Sequence, residues 1–90
     1  MDRFWVYILK STLINRYYCG SSNDIERRLK QHNDINYTST KTTKRFPGPW
    51  EIIWSEQHAT RSRAMEREKQ IKKRGIKRFL EKMIIDIDQS

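Results

Sequence analysis

The sequence predicts an α+β domain, a small antiparallel sheet with helices packed on it. Three observations carry this expectation. Three short apolar runs, rich in aromatic and β-branched residues, read as strands. Capped, helix-spaced segments follow the second and third runs, which sets the order β-β-α-β-α-α. The 90 residues suit one domain, 1–90, with a modest core, because a domain this small hides only roughly 60–65% of its unfolded surface.

The first run, Phe4 to Leu9, has no breaker and reads as a buried strand. A polar connection from Lys10 to Arg16 leads to a second strand, Tyr17 to Gly20, hairpin-paired with the first. Ser22 and Asn23 offer helix N-caps, and Asn23 with Glu26 has capping-box spacing. The first helix runs from Asp24 to about His32, with Ile25 and Leu29 on its inner face. Asn33 to Pro49 is a long connection rich in Thr, Lys and Ser, and connections of that length often carry function. Trp50 to Ser55 is the third strand. Thr60 or Ser62 caps a second helix from about Arg61 to Arg74, and Gly75 stops it. A third helix runs from Ile76 to about Ile87, where Ile76, Phe79, Leu80, Met83, Ile84 and Ile87 make an amphipathic stripe with Met83 as a core residue.

Nineteen basic residues against eleven acidic give a net charge of +8. Such an excess favours polyanions, because each neutralised phosphate releases condensed counterions. Nucleic acid is therefore the expected partner. No segment is a long apolar helix with a basic face, so a membrane is not. Hydrophobic residues make up 36% and charged ones 33%, which is polar, yet three Trp, four Tyr and three Phe supply enough bulk for a folded core. The lone cysteine, Cys19, cannot form an internal disulfide, and Phe4 to Leu9 is too short for a signal sequence. The expected compartment is the cytoplasm.

Five residues suggest chemistry. Tyr7 and Tyr18 lie eleven residues apart on the first two strands. Arg28 follows ten residues after Tyr18, and His32 lies one turn later on the same side of the first helix. Glu68 interrupts the apolar stripe of the second helix. At 100° per residue, Ala64, Met65, Glu68 and Ile71 fall within an arc of about 120°, with the carboxylate near the middle of the buried face. A buried carboxylate needs a cation or strong hydrogen bonds. A hard metal ion meets that need, since one carboxylate plus waters and substrate phosphate is the usual way Mg²⁺ is held. A half-exposed glutamate paired with Arg61 or Lys72 meets it too.

An arginine can clamp a phosphate and a histidine can shuttle a proton, although Arg28 and His32 would also suit a solvated helix face. A phenol needs a nearby cation or metal to act as a base; without one, both tyrosines are core residues. Taken together, two phenols, a guanidinium, an imidazole and a carboxylate in a basic chain suggest phosphodiester chemistry. There is no Gly-rich phosphate cradle, no Cys/His zinc pattern and no Ser/His/Asp set, and His58 reads as a surface residue without a partner.

These residues resemble the GIY-YIG nuclease domain, specifically its subgroup of small single-domain bacterial endonucleases. Trp5-Val6-Tyr7 stands where the family has Gly-Ile-Tyr, and Tyr18-Cys19-Gly20 where it has Tyr-Ile-Gly. Arg28 matches the family's arginine, and His32 its histidine or tyrosine one turn later. Ala64-Met65-Glu66-Arg67-Glu68 matches the segment whose last glutamate holds the metal. The resemblance covers nearly the whole chain. It implies a three-stranded antiparallel sheet flanked by helices, and cleavage of DNA phosphodiesters with one divalent metal, Mg²⁺ or Mn²⁺. By the same resemblance Tyr7 or His32 helps activate water, Tyr18 positions the nucleophile or the phosphate, Arg28 stabilises pentacovalent charge and Glu68 holds the metal. Gly20 would let the backbone turn tightly beside the site. Two departures stand out. Trp5 replaces a glycine and is expected in the core, and Ser21 stands where many members have lysine.

The expected activity is a nicking or structure-selective DNA endonuclease. Arg61, Arg63 and Lys72 on the second helix, with Lys41, Lys44 and Arg45 in the Thr-rich connection, are candidate phosphate contacts that position the backbone without reading sequence. A chain this small is expected as a monomer or weak dimer, with targeting left to DNA shape or to a protein partner. Roles in repair, recombination, restriction and mobile elements are all compatible with it. Two other classes fit the same residues: a nucleic-acid-binding module with weak or no catalysis, and an adaptor that docks a protein on the stripe from Ile76 to Ile87.

Overall fold

The computed structural model describes residues 3–34 and 49–88, with side chains in the last helix only as far as Met83. The elements are β1 (Phe4–Ser11), β2 (Tyr17–Ser22), α1 (Ile25–Asn33), β3 (Trp50–His58), α2 (Arg61–Arg74) and α3 (Ile76–Asp88). The α+β class and the element order are those the sequence predicts. The three strands form one antiparallel sheet in the order β2-β1-β3, so β1 is central and β2 and β3 are edges.

The unbroken apolar run of β1 has a direct cause. Val6, Tyr7, Ile8 and Leu9 are each 1% exposed or less, so the strand is covered on both faces. Val6 and Ile8 pack with Cys19, Ala64, Ile71 and Phe79 beneath α2 and α3. Tyr7 and Leu9 pack with Trp50 beneath α1, whose Ile25 and Leu29 close that side as their spacing predicts. Trp5 is only half buried and belongs to neither cluster, contrary to its expected core place. Its neighbours Val6 and Tyr7 already fill the two faces.

β3 shows a feature its sequence conceals. Residues 50, 52, 54, 56 and 58 are the less exposed ones, an alternation that would place all five on one face. The register shifts between Ile8 and Leu9, however: Ile8 pairs with Trp54 and Leu9 with Ile52, leaving Ile53 as the extra residue of a β-bulge. The bulge sends Trp50 and Ile52 toward α1 and Trp54 toward α2 and α3. One strand thereby feeds both halves of the core.

The helix ends follow capping chemistry, with one correction. Asp24, not Ser22 or Asn23, caps α1, its Oδ1 accepting from Arg27 N at 3.0 Å. β2 runs two residues further than its apolar run, so Ser22 still belongs to the strand. Its Oγ accepts from Asp24 N at 3.0 Å and sets the cap in place. Thr60 caps α2 by accepting from Arg63 N at 3.2 Å. Gly75 ends α2 with φ 100°, the one positive φ among the described residues. Of the α3 stripe, Phe79 is buried and Ile76, Leu80 and Met83 pack against the core. That part of the stripe is not free to dock a partner. No described helix is long and apolar enough to cross a membrane.

Asn33, the last residue of α1, ties that helix to β3. Its Oδ1 accepts from Trp50 N at 2.7 Å and its Nδ2 donates to Trp50 O at 3.0 Å. Trp50 is 4% exposed, so its backbone has little access to water in exchange. Asn33→Ala is expected to lower stability by about 1–3 kcal/mol. Asn33→Asp, which keeps the acceptor and loses the donor, should fall between it and the parent. Urea unfolding of the three proteins measures the order.

Candidate active site

Tyr7 and Gly20 sit directly opposite each other on β1 and β2, and Tyr18, two residues before Gly20, shares their face. The Tyr7 ring occupies space that any side chain at residue 20 would need. A Cβ on Gly20 would lie 2.8 Å from Tyr7 Oη and 2.9 Å from Tyr18 Cε1. Gly20 is therefore required for room. It lies within β2 and does not have positive φ, so the tight turn expected of it is absent.

α1 completes this face. His32 is 2% exposed, with Nε2 at 3.2 Å from Tyr7 Oη and its ring centroid 4.7 Å from that of Tyr18. Arg28, one turn earlier, lies within hydrogen-bonding reach of the Tyr7 phenol and donates to Gln31 Oε1 at 2.7 Å. The four residues Tyr7, Tyr18, Arg28 and His32 thus meet in one cluster, as their spacing suggests.

Burial, and then the neighbouring Tyr18, push the Tyr7 phenol up to about 12, against the opposing pull of Arg28. At neutral pH Tyr7 is a neutral phenol that can give or take a hydrogen bond. Burial, and then the charge of Glu68, push the Cys19 thiol up to about 11, with Lys72 opposing. Cys19 is thus an inert core residue on the α2 side of β2.

Glu68 lies on α2, which packs on the other face of the sheet. β2 is an edge strand, so groups above and below it can meet around its free side. The Glu68 carboxylate acts electrostatically on both Tyr7 and Cys19. Its side chain is 22% exposed, and Oε2 accepts from Lys72 Nζ at 3.0 Å. Burial alone would lower the Lys72 ammonium. The Glu68 hydrogen bond and charge, with lesser help from Tyr18 and Cys19, outweigh it and hold Lys72 above its usual value. Glu68 is therefore at the border of the core, with Ala64 and Ile71 inside it, while Met65 is 47% exposed and not part of the buried face. The buried face of α2 is centred on Ala64 and Ile71, not on Glu68.

The chemistry of this donor fits a hard divalent cation. Glu68 already carries one cation, the Lys72 ammonium, and its Oε1 has no hydrogen bond among the described residues. No cluster of three His, Cys, Asp or Glu occurs among the described residues. A metal on Glu68 would complete its shell with water and phosphate, which suits Mg²⁺.

A cleft of about 400 Å³ runs from α1 to α2 across the end of β2. Arg28 lines it, together with Arg61 and with Arg27, a residue the spacing argument passed over. A signal for Arg27 was available: it is a cation in the first turn of a helix, where the dipole disfavours one. Arg63 faces a different hollow, beside His58, Glu66, Arg67 and Gln70. His58 is not without a partner, since its Nε2 lies 2.8 Å from Glu56 Oε1, which also accepts from Arg67 Nε at 3.1 Å. The candidate contacts Lys41, Lys44 and Arg45 lie outside the described residues.

Comparison with known proteins gives the family. The family model of the GIY-YIG catalytic domain matches residues 3–81, a segment that contains Tyr7, Tyr18, Arg28, His32 and Glu68. A UPF0213 protein of Staphylococcus saprophyticus is 36% identical over 72 residues, 80% of this chain and 83% of its own. The UPF0213 protein YazA of Bacillus subtilis is 36% identical over 59 residues, 66% of this chain and 57% of its own. A UPF0213 protein of Vibrio parahaemolyticus is 33% identical over 95 residues, covering 100% of this chain and 86% of its own. No solved structure matches the chain.

Two outcomes follow from the cluster. Gly20→Ala should displace the tyrosine rings, lower stability by about 1–3 kcal/mol and shift the Tyr7 and Tyr18 ring signals in NMR spectra. Above pH 9 the unfolded chain releases protons, at Cys19 near 9 and Tyr7 near 10, that the folded chain holds to about 11 and about 12. Stability therefore falls as pH rises through that window, by up to roughly 3 kcal/mol per group. Denaturation midpoints measured from pH 8 to 11 should show the fall, and Cys19→Ala and Tyr7→Phe should each flatten it.

Proposed function

The chain belongs to the GIY-YIG catalytic-domain family, a nuclease family, and on that premise we propose that it hydrolyses DNA phosphodiester bonds with one divalent metal, Mg²⁺ or Mn²⁺, held by Glu68. The observation that carries this reading is the Tyr7–His32 hydrogen bond beside Arg28, at a phenol that also feels the Glu68 charge. The net charge of +8 supports a polyanionic substrate.

Each residue has a role its chemistry allows. Arg28 grips a non-bridging phosphate oxygen and offsets the charge that builds on the pentacovalent phosphorus. Tyr7, a neutral phenol at working pH, accepts a proton from the attacking water as it passes its own to His32 Nε2. His32 therefore works as the Nδ1–H tautomer, with Nε2 free to accept. Tyr18, its ring tilted against that of His32, positions the water or the phosphate. A metal on Glu68 would supply charge neutralisation at the phosphate and the leaving oxygen. Glu68 Oε1, without a hydrogen bond among the described residues, is the oxygen open to that metal, and the pair that Oε2 makes with Lys72, a side chain 49% exposed, costs little to give up where both oxygens are used.

One site of this kind cuts one strand per visit, so nicking is the basal activity, and a double-strand break takes two visits or two copies.

Supercoiled plasmid, branched DNA and single-stranded DNA, each incubated with Mg²⁺, Mn²⁺ or EDTA, test the proposal. Nicking should require metal. Glu68→Gln should lose at least about 100-fold in rate while still binding DNA. Tyr7→Phe and Arg28→Gln should each lose about 10²–10³-fold. Salt-sensitive binding with no metal-dependent product from any of the three DNAs would instead mark a binding module.

A further inference from the structure

We propose that the cleft between the first turns of α1 and α2 is a sugar-phosphate subsite, gripping the nucleic-acid strand beside the phosphate held by Arg28, with Arg27 and Arg61 as its positioning residues. The substrate class rests on the nuclease reading; the cleft as the place, Arg27 as a member and its pairing there with Arg61 go beyond it.

Four observations support the assignment. The cleft shares Arg28 with the tyrosine cluster, so a strand lying in it leads into the site. Its volume of about 400 Å³ is larger than a phosphate group needs and leaves room for a sugar. Three guanidinium groups line it, from Arg27, Arg28 and Arg61, and no carboxylate does among the described residues. Phe4 and the 47% exposed Met65, one turn after Arg61 on α2, add apolar lining against which a deoxyribose can rest.

The arginines are placed for an external anion. Arg61 makes no ion pair and no side-chain hydrogen bond among the described residues, and it opens α2, whose first turn holds no acidic residue. Arg27 Nη2 donates to Asn23 Oδ1 at 3.0 Å, which anchors one of its five N–H donors and leaves a fork able to bind phosphate. Both stand in first turns, where the helix dipole opposes a cation and favours an anion. A phosphate between them relieves that repulsion. Such contacts fix the strand's path and read no sequence.

Binding of a fluorescein-labelled DNA duplex to the full chain in EDTA, followed by anisotropy across a range of KCl, tests the subsite. Arg27→Gln and Arg61→Gln should each weaken binding and flatten the slope of log Kd against log salt by about 1. Arg16→Gln, at the other end of β2 and about 20 Å away along the strand, should leave both unchanged. Arg61→Lys, which keeps the charge, should keep the slope. Unchanged thermal melts for these exposed positions separate a lost contact from a lost fold. The cleft assignment is overturned if Arg16→Gln flattens the slope as much as Arg61→Gln does. It is overturned equally if neither cleft variant moves the slope. EDTA keeps the two readings apart: DNA bound through the cleft but never cut with metal ends the nuclease reading alone, and cleavage with unaltered slopes ends the cleft alone.

Discussion

Four consecutive residues of β1 are sealed from water on both faces of a sheet only three strands wide. With so few strands, each face can be covered only if the helices divide between them. α1 covers Tyr7 and Leu9; α2 and α3 cover Val6 and Ile8. The bulge at Ile53 serves the same demand, because without it β3 would present all its bulk to one side. Such a double burial also explains how 90 residues hold together with a modest apolar fraction. Little surface of the central strand is left to water, so the polar composition is free to sit outside.

That division of helices also decides where the chemistry can be. Groups on α1 and groups on α2 lie on opposite faces of the sheet, and β2 is the edge around which they approach each other. β2 brings Tyr18 to one face and Cys19 to the other, with the bare Gly20 between the rings. The cleft at its end is bounded by both helices. An edge strand normally offers its free side to other strands. Here arginines from two helices crowd the end of that side, and the charge they carry suits it to a polyanion.

Electrostatics within the site are set by what has been buried. Tyr7 stays protonated because its surroundings exclude water and hold a second phenol. Arg28 pulls the other way and falls short. A neutral phenol hydrogen-bonded to an imidazole can relay a proton without either group carrying a lasting charge. Glu68 is less deeply set and is balanced by Lys72, an i,i+4 pair of the kind that stabilises a helix by only about 0.2–0.5 kcal/mol. The pair keeps the carboxylate compensated while leaving it exchangeable for another cation.

Much of this was legible beforehand. The strand runs, the helix stripes, the cap at Thr60 and the stop at Gly75 follow from local propensity and capping, which depend on neighbours in sequence. The 3.6-residue turn alone places Arg28 and His32 together, and strand alternation places Tyr18 and Gly20 on one face. The misses share a physical cause. Asp24 caps α1 because β2 extends through Ser22 on tertiary pairing, which local preference does not register. His58 finds Glu56 because a strand end meets α2 through Arg67. Gly20 is needed for space because of a ring on another strand. By itself the sequence determined the elements, their order, the positive charge and the residue types able to do phosphodiester chemistry, all properties of short windows or of composition. Only the tertiary structure decided that β3 splits across both faces, that the Glu68 charge is felt at Tyr7 and that Arg27 and Arg61 share a cleft, because each depends on packing between residues distant in the chain.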